Sequence, residues 1–200
     1  MNNSEISDCL NEEQGQILVE LARATICDNL QCPVQPAKDA GLQEALSSPV
    51  FARKRGVFVT LHKKGQLRGC IGTLVGRESI ADGIRDNALN AAFHDYRFKP
   101  LTVEEIDDLE VEISILTEPV LLEYKGEEEL KTVLRPGIDG VIIRQGGASA
   151  TFLPQVWKQL PEVENFLNHL CLKAGLPADE WRRENIKVGT YQVQHFSEKK

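Results

Sequence analysis

The amino-acid sequence predicts an α+β fold, a mainly antiparallel sheet built from hairpins with flanking helices. Alternating apolar runs come in pairs joined by short glycine-bearing turns, at 56–74 and 140–153. Helical periodicities lie at 11–30, 79–94 and 163–174. The two kinds of element do not alternate regularly, so the βαβ rhythm of a doubly wound parallel sheet is missing. A length of 200 residues suits one domain, or one domain with a smaller lobe, and is enough to bury a core.

Taken in order, residues 11–30 read as an amphipathic helix with Ile17, Leu18, Leu21, Ala24 and Thr25 at helical spacing. Asn11 is its predicted cap, and Cys32-Pro33 with Pro36 ends it. Pro49-Val50-Phe51 leads into a hairpin of 56–62 and 66–74 around Lys63-Lys64-Gly65. Ser79 starts a second helix with Ile80, Ile84, Ala88 and Ala91 on one stripe. Gly83, Asn87, Asn90 and His94 lie on another stripe, which reads either as a solvated polar face or as the lining of a cleft. Thr102-Val103-Glu104-Glu105 has capping-box form. Residues 109–116 alternate as a half-buried strand, with Glu112 and Ser114 on its polar face. Residues 127–134 are helical, and Arg135-Pro136-Gly137 turns into a hairpin of 140–144 and 149–153. Residues 163–174 form a helix ended by Gly175, and 186–196 return as one terminal strand. The first ten residues are expected as a disordered tail.

The first hairpin carries the most distinctive residues, Leu67-Arg68-Gly69-Cys70-Ile71-Gly72-Thr73-Leu74. Glycine weakens a strand interior, so two flanking a thiol suggest close approach of a backbone or a ligand. A nearby cation such as Arg68 is able to lower a thiol pKa. A two-residue turn would force Lys64 to φ > 0, so a three-residue loop with Gly65 left-handed is the predicted connection. Val57, Val59, Leu61, Leu67 and Ile71 then share one face with Gly69 and Thr73. Phe58, Thr60, His62, Gln66, Arg68, Cys70 and Gly72 share the other. This register sets Phe58 opposite Cys70, Thr60 opposite Arg68 and His62 opposite Gln66. His62 then lies roughly 13 Å along the ladder from Cys70, too far for a thiol–imidazole dyad. Any base for Cys70 must come from elsewhere. Cys70 reads either as a small buried hydrophobe or as a functional thiol, and both readings stay open.

Composition narrows the function classes. Hydrophobic content of 42% and charged content of 26% are those of an ordinary globular protein. A formal charge of −7 and a pI near 5.2 argue against a general nucleic-acid binder. Arg53-Lys54-Arg55 and Lys63-Lys64 read either as solvated loops or as a local basic patch. No targeting or spanning segment is recognisable, which predicts a cytoplasmic protein. The 5 cysteines show no zinc spacing, so neither a metal nor another cofactor is expected. Cys27 and Cys32 straddle a helix end with no histidine nearby and read as structural or incidental thiols. His169 and Cys171 face different directions on one helix and make a poor ligand pair.

Residues 67–74 resemble the signature octapeptide of the AMMECR family, protein A of the AmmeMemoRadiSam set. Asp95-Tyr96-Arg97-Phe98-Lys99-Pro100-Leu101 is similar to a second family segment. So are Leu134-Arg135-Pro136-Gly137-Ile138-Asp139-Gly140 and Thr151-Phe152-Leu153-Pro154-Gln155-Val156-Trp157. Residues 166–177 resemble the family's C-terminal helix, so the likeness covers nearly the whole chain as a single domain, 1–200. The resemblance implies a larger and a smaller lobe with a cleft between them. It also implies two partners, a Memo-type protein and a radical-SAM enzyme. Radical chemistry would belong to the partner, because no cysteine-cluster motif is present here.

Two functions are compatible with these residues. One is a partner subunit with a binding cleft near Arg68 and Cys70, for which the Trp157 helix is a candidate contact surface. The other is a cysteine-dependent enzyme or covalent substrate carrier with Cys70 as candidate nucleophile. In that reading Arg68 orients an anionic group, Thr60 adds a hydrogen bond across the ladder and Arg97 is a second anion contact. Gly69, Gly72 and Asn87 complete the candidate ligand-binding set.

Overall fold

The computed structural model describes residues 9–32, 36–183 and 185–198. The fold is α+β, with two four-stranded sheets, each belonging to its own compact unit. Unit 1 comprises 1–116 and 194–200, and unit 2 comprises 117–193. Each has a separate apolar core.

Unit 1 begins with α1 (Glu12–Asn29), whose Asn11 cap accepts from the Gln14 N–H at 2.8 Å in the capping-box manner. Its buried stripe of Leu18, Val19, Leu21, Ala22 and Ile26 follows the helical period. A helix not foreseen in the sequence, α2 (Pro36–Leu46), follows. The sheet is built from β1 (Val57–Lys63), β2 (Gln66–Thr73), β3 (Leu109–Leu116) and β8 (Val193–Ser197) in the order β2-β1-β3-β8. Val57, Val59, Leu61, Val111, Ile113 and Ile115 form its buried face. With α1 and with Ile80, Ile84 and Ala88 of α3 (Ile80–Leu89) they make one core. Of the expected tail, residues 1–8 lie outside the described residues. Leu10 is buried, and Gln194 hydrogen-bonds both its N–H and its carbonyl, at 2.8 and 2.9 Å.

The hairpin differs from the predicted register in a way that matters for the site. Its turn is the two-residue one, with Lys63 opposite Gln66 and both Lys64 (φ 52°) and Gly65 (φ 74°) left-handed. A left-handed lysine costs roughly 1–2 kcal/mol. The twist of this turn type, which matches that of the strands, offsets that cost. A β-bulge then follows: Leu61 pairs with Gly69 and His62 with Leu67, leaving Arg68 as the extra residue. Beyond it Thr60 lies opposite Cys70 and Phe58 opposite Gly72. The expected pairs Phe58–Cys70, Thr60–Arg68 and His62–Gln66 are therefore corrected. Because the pairing beyond the bulge moves by two residues, Ile71, Gly69 and Thr73 keep their predicted face. Leu67, on the turn side of the bulge, leaves it and is exposed.

Unit 2 holds β4 (Val120–Leu121), α4 (Gly126–Val133), β5 (Gly140–Gln145), β6 (Ala148–Phe152), α5 (Val163–Lys173) and β7 (Lys187–Tyr191). Its sheet order is β4-β7-β5-β6. The predicted terminal strand 186–196 is two strands, β7 and β8, in different sheets. Between them Gln192 exchanges hydrogen bonds with Thr117, each of 2.9 Å. The Trp157 side chain belongs to the unit 2 core. It is 3% exposed, stacks on Phe166 at 3.6 Å and donates its indole N–H to the Asp139 carbonyl at 2.7 Å.

Candidate functional site

Cys70 lies on β2, an edge strand of the unit 1 sheet, and its backbone is held from outside the sheet. Asp95 Oδ2 accepts the Cys70 N–H at 2.9 Å, and Arg97 Nη2 donates to the Cys70 carbonyl at 3.1 Å. Arg97 also grips Asp95, through Nε at 2.9 Å and Nη2 at 2.6 Å, and its own N–H reaches Oδ1 at 3.2 Å. This pair substitutes for a further strand at one point of an otherwise open edge. The Arg97 guanidinium, with the Cys70 and Arg97 N–H groups, holds the buried Asp95 carboxyl well below the usual carboxylate range, against the opposing effect of burial.

Because both polar backbone groups of Cys70 turn outward, Thr60 and Cys70 face each other as the kind of pair whose side chains come closest. The Thr60 hydroxyl donates to the Cys70 sulfur at 3.4 Å. The thiol is half-buried.

The glycines flanking Cys70 are there for close packing. A Cβ on Gly69 would lie 2.2 Å from the Ala91 carbonyl oxygen, within the π-helical turn Asn90–His94 that continues α3. A Cβ on Gly72 would lie 2.2 Å from the Phe58 ring and 2.5 Å from the Val57 carbonyl. That same π-turn delivers Asp95 to the strand edge, an irregularity of a kind often found at functional sites.

The bulge aims Arg68 at Glu105, in the 3-10 turn Val103–Asp108. Arg68 Nε and Nη2 fork the carboxylate at 3.1 and 3.0 Å, and Lys63 Nζ joins Oε1 at 2.8 Å. The Thr102 N–H donates to Oε2 at 3.2 Å, so the predicted capping box serves the ion pair as well. Arg68 first, then Lys63 and Thr102, hold the Glu105 carboxyl down to about 2, with burial opposing. Arg68 Nη1 is buried without a hydrogen-bond partner among the described residues. The Phe98 ring has the Arg68 guanidinium 5.9 Å from its centroid and that of Arg97 at 5.5 Å.

A row of polar side chains crosses the sheet from Cys70. Thr60 is in register with Glu112, and His195 Nδ1 of β8 lies 3.7 Å from Glu112 Oε1. His195, mainly, pulls the Glu112 carboxyl below its ordinary value. Ser114 Oγ meets the same Nδ1 at 3.0 Å. A serine–histidine–carboxylate triad needs one ring nitrogen for each partner, so this cluster is not assembled as one. His62 is now two residues from the Cys70 partner along β1, roughly 7 Å at strand rise, still beyond direct contact.

The structure thus brings together Cys70, Thr60, Gly69, Gly72, Arg68 and Arg97. It does not bring Asn87 to them. Asn87 is buried in α3, on the helix-covered side, and donates to the Val57 carbonyl at 3.4 Å. Sequence reasoning gave no role to Asp95 or His195 and saw Glu105 only as a cap. The Asp-x-Arg spacing of 95–97 is the one local signal that pointed to a fork. Chemically the site is a fixed, half-exposed thiol with a hydroxyl donor. Each nearby guanidinium is already matched by a carboxylate. Among the described residues no group of three or more His, Cys, Asp or Glu could hold a metal ion. No helix among them is long and apolar enough to cross a membrane.

An α+β scaffold displaying a clamped cysteine defines the class, and comparison with known proteins places the chain within it. The AMMECR1 family model matches residues 19–196, and the chain belongs to the AMMECR1 family. A protein of Methanothermobacter thermautotrophicus is 40% identical over 190 residues, covering 94% of this chain and 96% of its own. Protein MJ0810 of Methanocaldococcus jannaschii is 39% identical over 194 residues, covering 94% and 92%. Among solved structures, uncharacterized protein PH0010 from Pyrococcus horikoshii superposes with a TM-score of 0.73 at 36% identity. That match covers 95% of this chain and 94% of the other.

Proposed function

We propose that the chain is a partner subunit, acting in the cytoplasm, that presents the surface around Cys70 and Arg68. The partners implied by the family resemblance are a Memo-type protein and a radical-SAM enzyme. One observation carries the reading: Asp95 and Arg97 lock both backbone polar groups of Cys70 while its thiol stays half-exposed. The clamp satisfies the strand edge and at the same time fixes the position of a thiol that a partner can reach. The test is co-migration of the purified chain with each partner at micromolar concentration, with Cys70 alkylation followed in the same samples. Partner binding is expected to slow Cys70 alkylation. Absence of co-migration together with an unchanged rate would sink the proposal.

A second reading, an enzyme or covalent carrier with Cys70 as nucleophile, is favoured by the Thr60 hydroxyl, which donates to the sulfur. Under it, Cys70→Ser abolishes activity of the assembled system while leaving co-migration intact. Full activity of that variant would exclude it.

A further inference from the structure

Helix α1 ends in a way that pairs two cysteines. Gln31 is left-handed at φ 56°, the Cys32 N–H bonds the Cys27 carbonyl at 2.9 Å and the Gln31 N–H bonds that of Asp28 at 3.1 Å. This is the Schellman arrangement, in which the side chain three places before the cap packs against the one two places after it. Those positions are normally a hydrophobic contact, and here they are Cys27 and Cys32. The backbone bond between the two residues brings their Cα atoms within the roughly 4.4–6.8 Å that a disulfide spans. Both are free and half-buried, so they are held yet reachable. The other cysteines lie elsewhere: Cys9 exposed before α1, Cys70 on the polar face of the sheet, and Cys171 buried in unit 2.

We propose that Cys27 and Cys32 are a redox-sensitive dithiol that closes to a disulfide across the α1 terminus when a peroxide is present. Burial and the neighbouring Cys32 thiol push the Cys27 thiol up, with Arg23 opposing, which suits Cys27 to the resolving role. The Cys32 thiolate attacks one peroxide oxygen: an S–O bond forms, the O–O bond breaks and the departing hydroxide is protonated to water. The Cys27 sulfur then attacks the Cys32 sulfenic acid. An S–S bond forms, the S–O bond breaks, and a second water leaves with the Cys27 proton. Overall two thiols are oxidised and one hydrogen peroxide is reduced to two waters. A dithiol reductant reverses the step. The closed form pins Gln31 and the last turn of α1, whose Ile26 is part of the unit 1 core.

The test uses the full reduced chain, treated with equimolar hydrogen peroxide, quenched with N-ethylmaleimide and digested with trypsin. Cleavage after Arg23 and Lys38 leaves both thiols in one peptide, so the disulfide reads as loss of two hydrogens and no adduct. Nearly all oxidised Cys32 is expected as this disulfide and none as sulfinic acid, because the Cys27 sulfur is in place to trap the sulfenic acid before a second peroxide reaches it. The product is expected to show no disulfide link between chains and to revert with dithiothreitol. Cys32→Ser is expected to leave Cys27 open to alkylation. Adducts on both Cys27 and Cys32 after Cys9 has been oxidised would overturn the proposal. So would finding either linked only to Cys9 or to a second chain.

Discussion

Replacing Asp95 by asparagine tests the clamp on Cys70 with almost no change of shape. Each carboxylate oxygen accepts one backbone N–H and one Arg97 N–H: Oδ2 from Cys70 and Nη2, Oδ1 from Arg97 itself and Nε. Whichever way the amide is turned, its NH2 faces one of each and two hydrogen bonds are lost. Bonds to charged groups are worth about 1.5–3 kcal/mol and neutral ones about 1. Arg97, with a side chain 42% exposed, recovers part of its loss by turning into water. The expected cost is therefore about 2–4 kcal/mol. Urea unfolding of both proteins measures it, and amide exchange at Cys70 shows whether the loss is local. The sign with pH follows from the lowered Asp95 carboxyl. Its contribution is complete above the unfolded value of about 3.9 and fades as pH falls through the folded one. The gap between the proteins is then constant above about pH 5 and shrinks in acid. A difference below about 0.5 kcal/mol, with the Cys70 amide as protected as before, would refute the reasoning.

Gly69→Ala sets a Cβ 2.2 Å from a backbone oxygen that no rotamer change relieves, and is expected to cost about 2 kcal/mol or more in urea unfolding. Glu105, held down to about 2, contributes stability present above its unfolded value of about 4.3 and lost as pH falls between the two; Glu105→Gln should flatten that part of the stability–pH curve. Trp157→Phe keeps an aromatic ring against Phe166 but leaves the buried Asp139 carbonyl without its indole donor, an expected loss of about 1–3 kcal/mol by thermal or urea unfolding. In native protein Cys70 should alkylate well before Cys171, which is buried and whose thiol burial pushes up; the reverse order would contradict a half-exposed Cys70 thiol.

Element type was legible wherever periodicity was long, as in α1, α3 and α5, and so were the caps at Asn11 and Ser79. Face assignment in the β1–β2 hairpin was legible too, apart from Leu67 on the turn side of the bulge, but pairing was not. A pattern of period two is unchanged by a two-residue shift, so Thr60 and Phe58 were equally good neighbours for Cys70 on pattern alone. The split between β7 and β8 was hidden for a similar reason, because alternation runs on through Gln192 although the chain changes sheets there. Asp95, Glu105 and His195 reach the site from distant parts of the chain. Their contacts with Cys70, Arg68 and Glu112 leave no mark on local sequence, and only the fold brings them together.

The division of the chain between its two units has a consequence for synthesis. Unit 2 is one continuous stretch, with Thr117 and Gln192 bonded near its ends, whereas the unit 1 sheet takes its fourth strand from beyond it. A ribosome delivers all of the inserted stretch before β8. The middle of the chain can therefore reach its native state while β3 still waits for its neighbour. Until then Leu10 lacks Gln194, Arg23 lacks Glu198 and the ring of Phe196 is missing from beside Gly15. The nascent form of unit 1 is a three-stranded sheet with an open flank along β3, exposed to wrong pairing until β8 arrives.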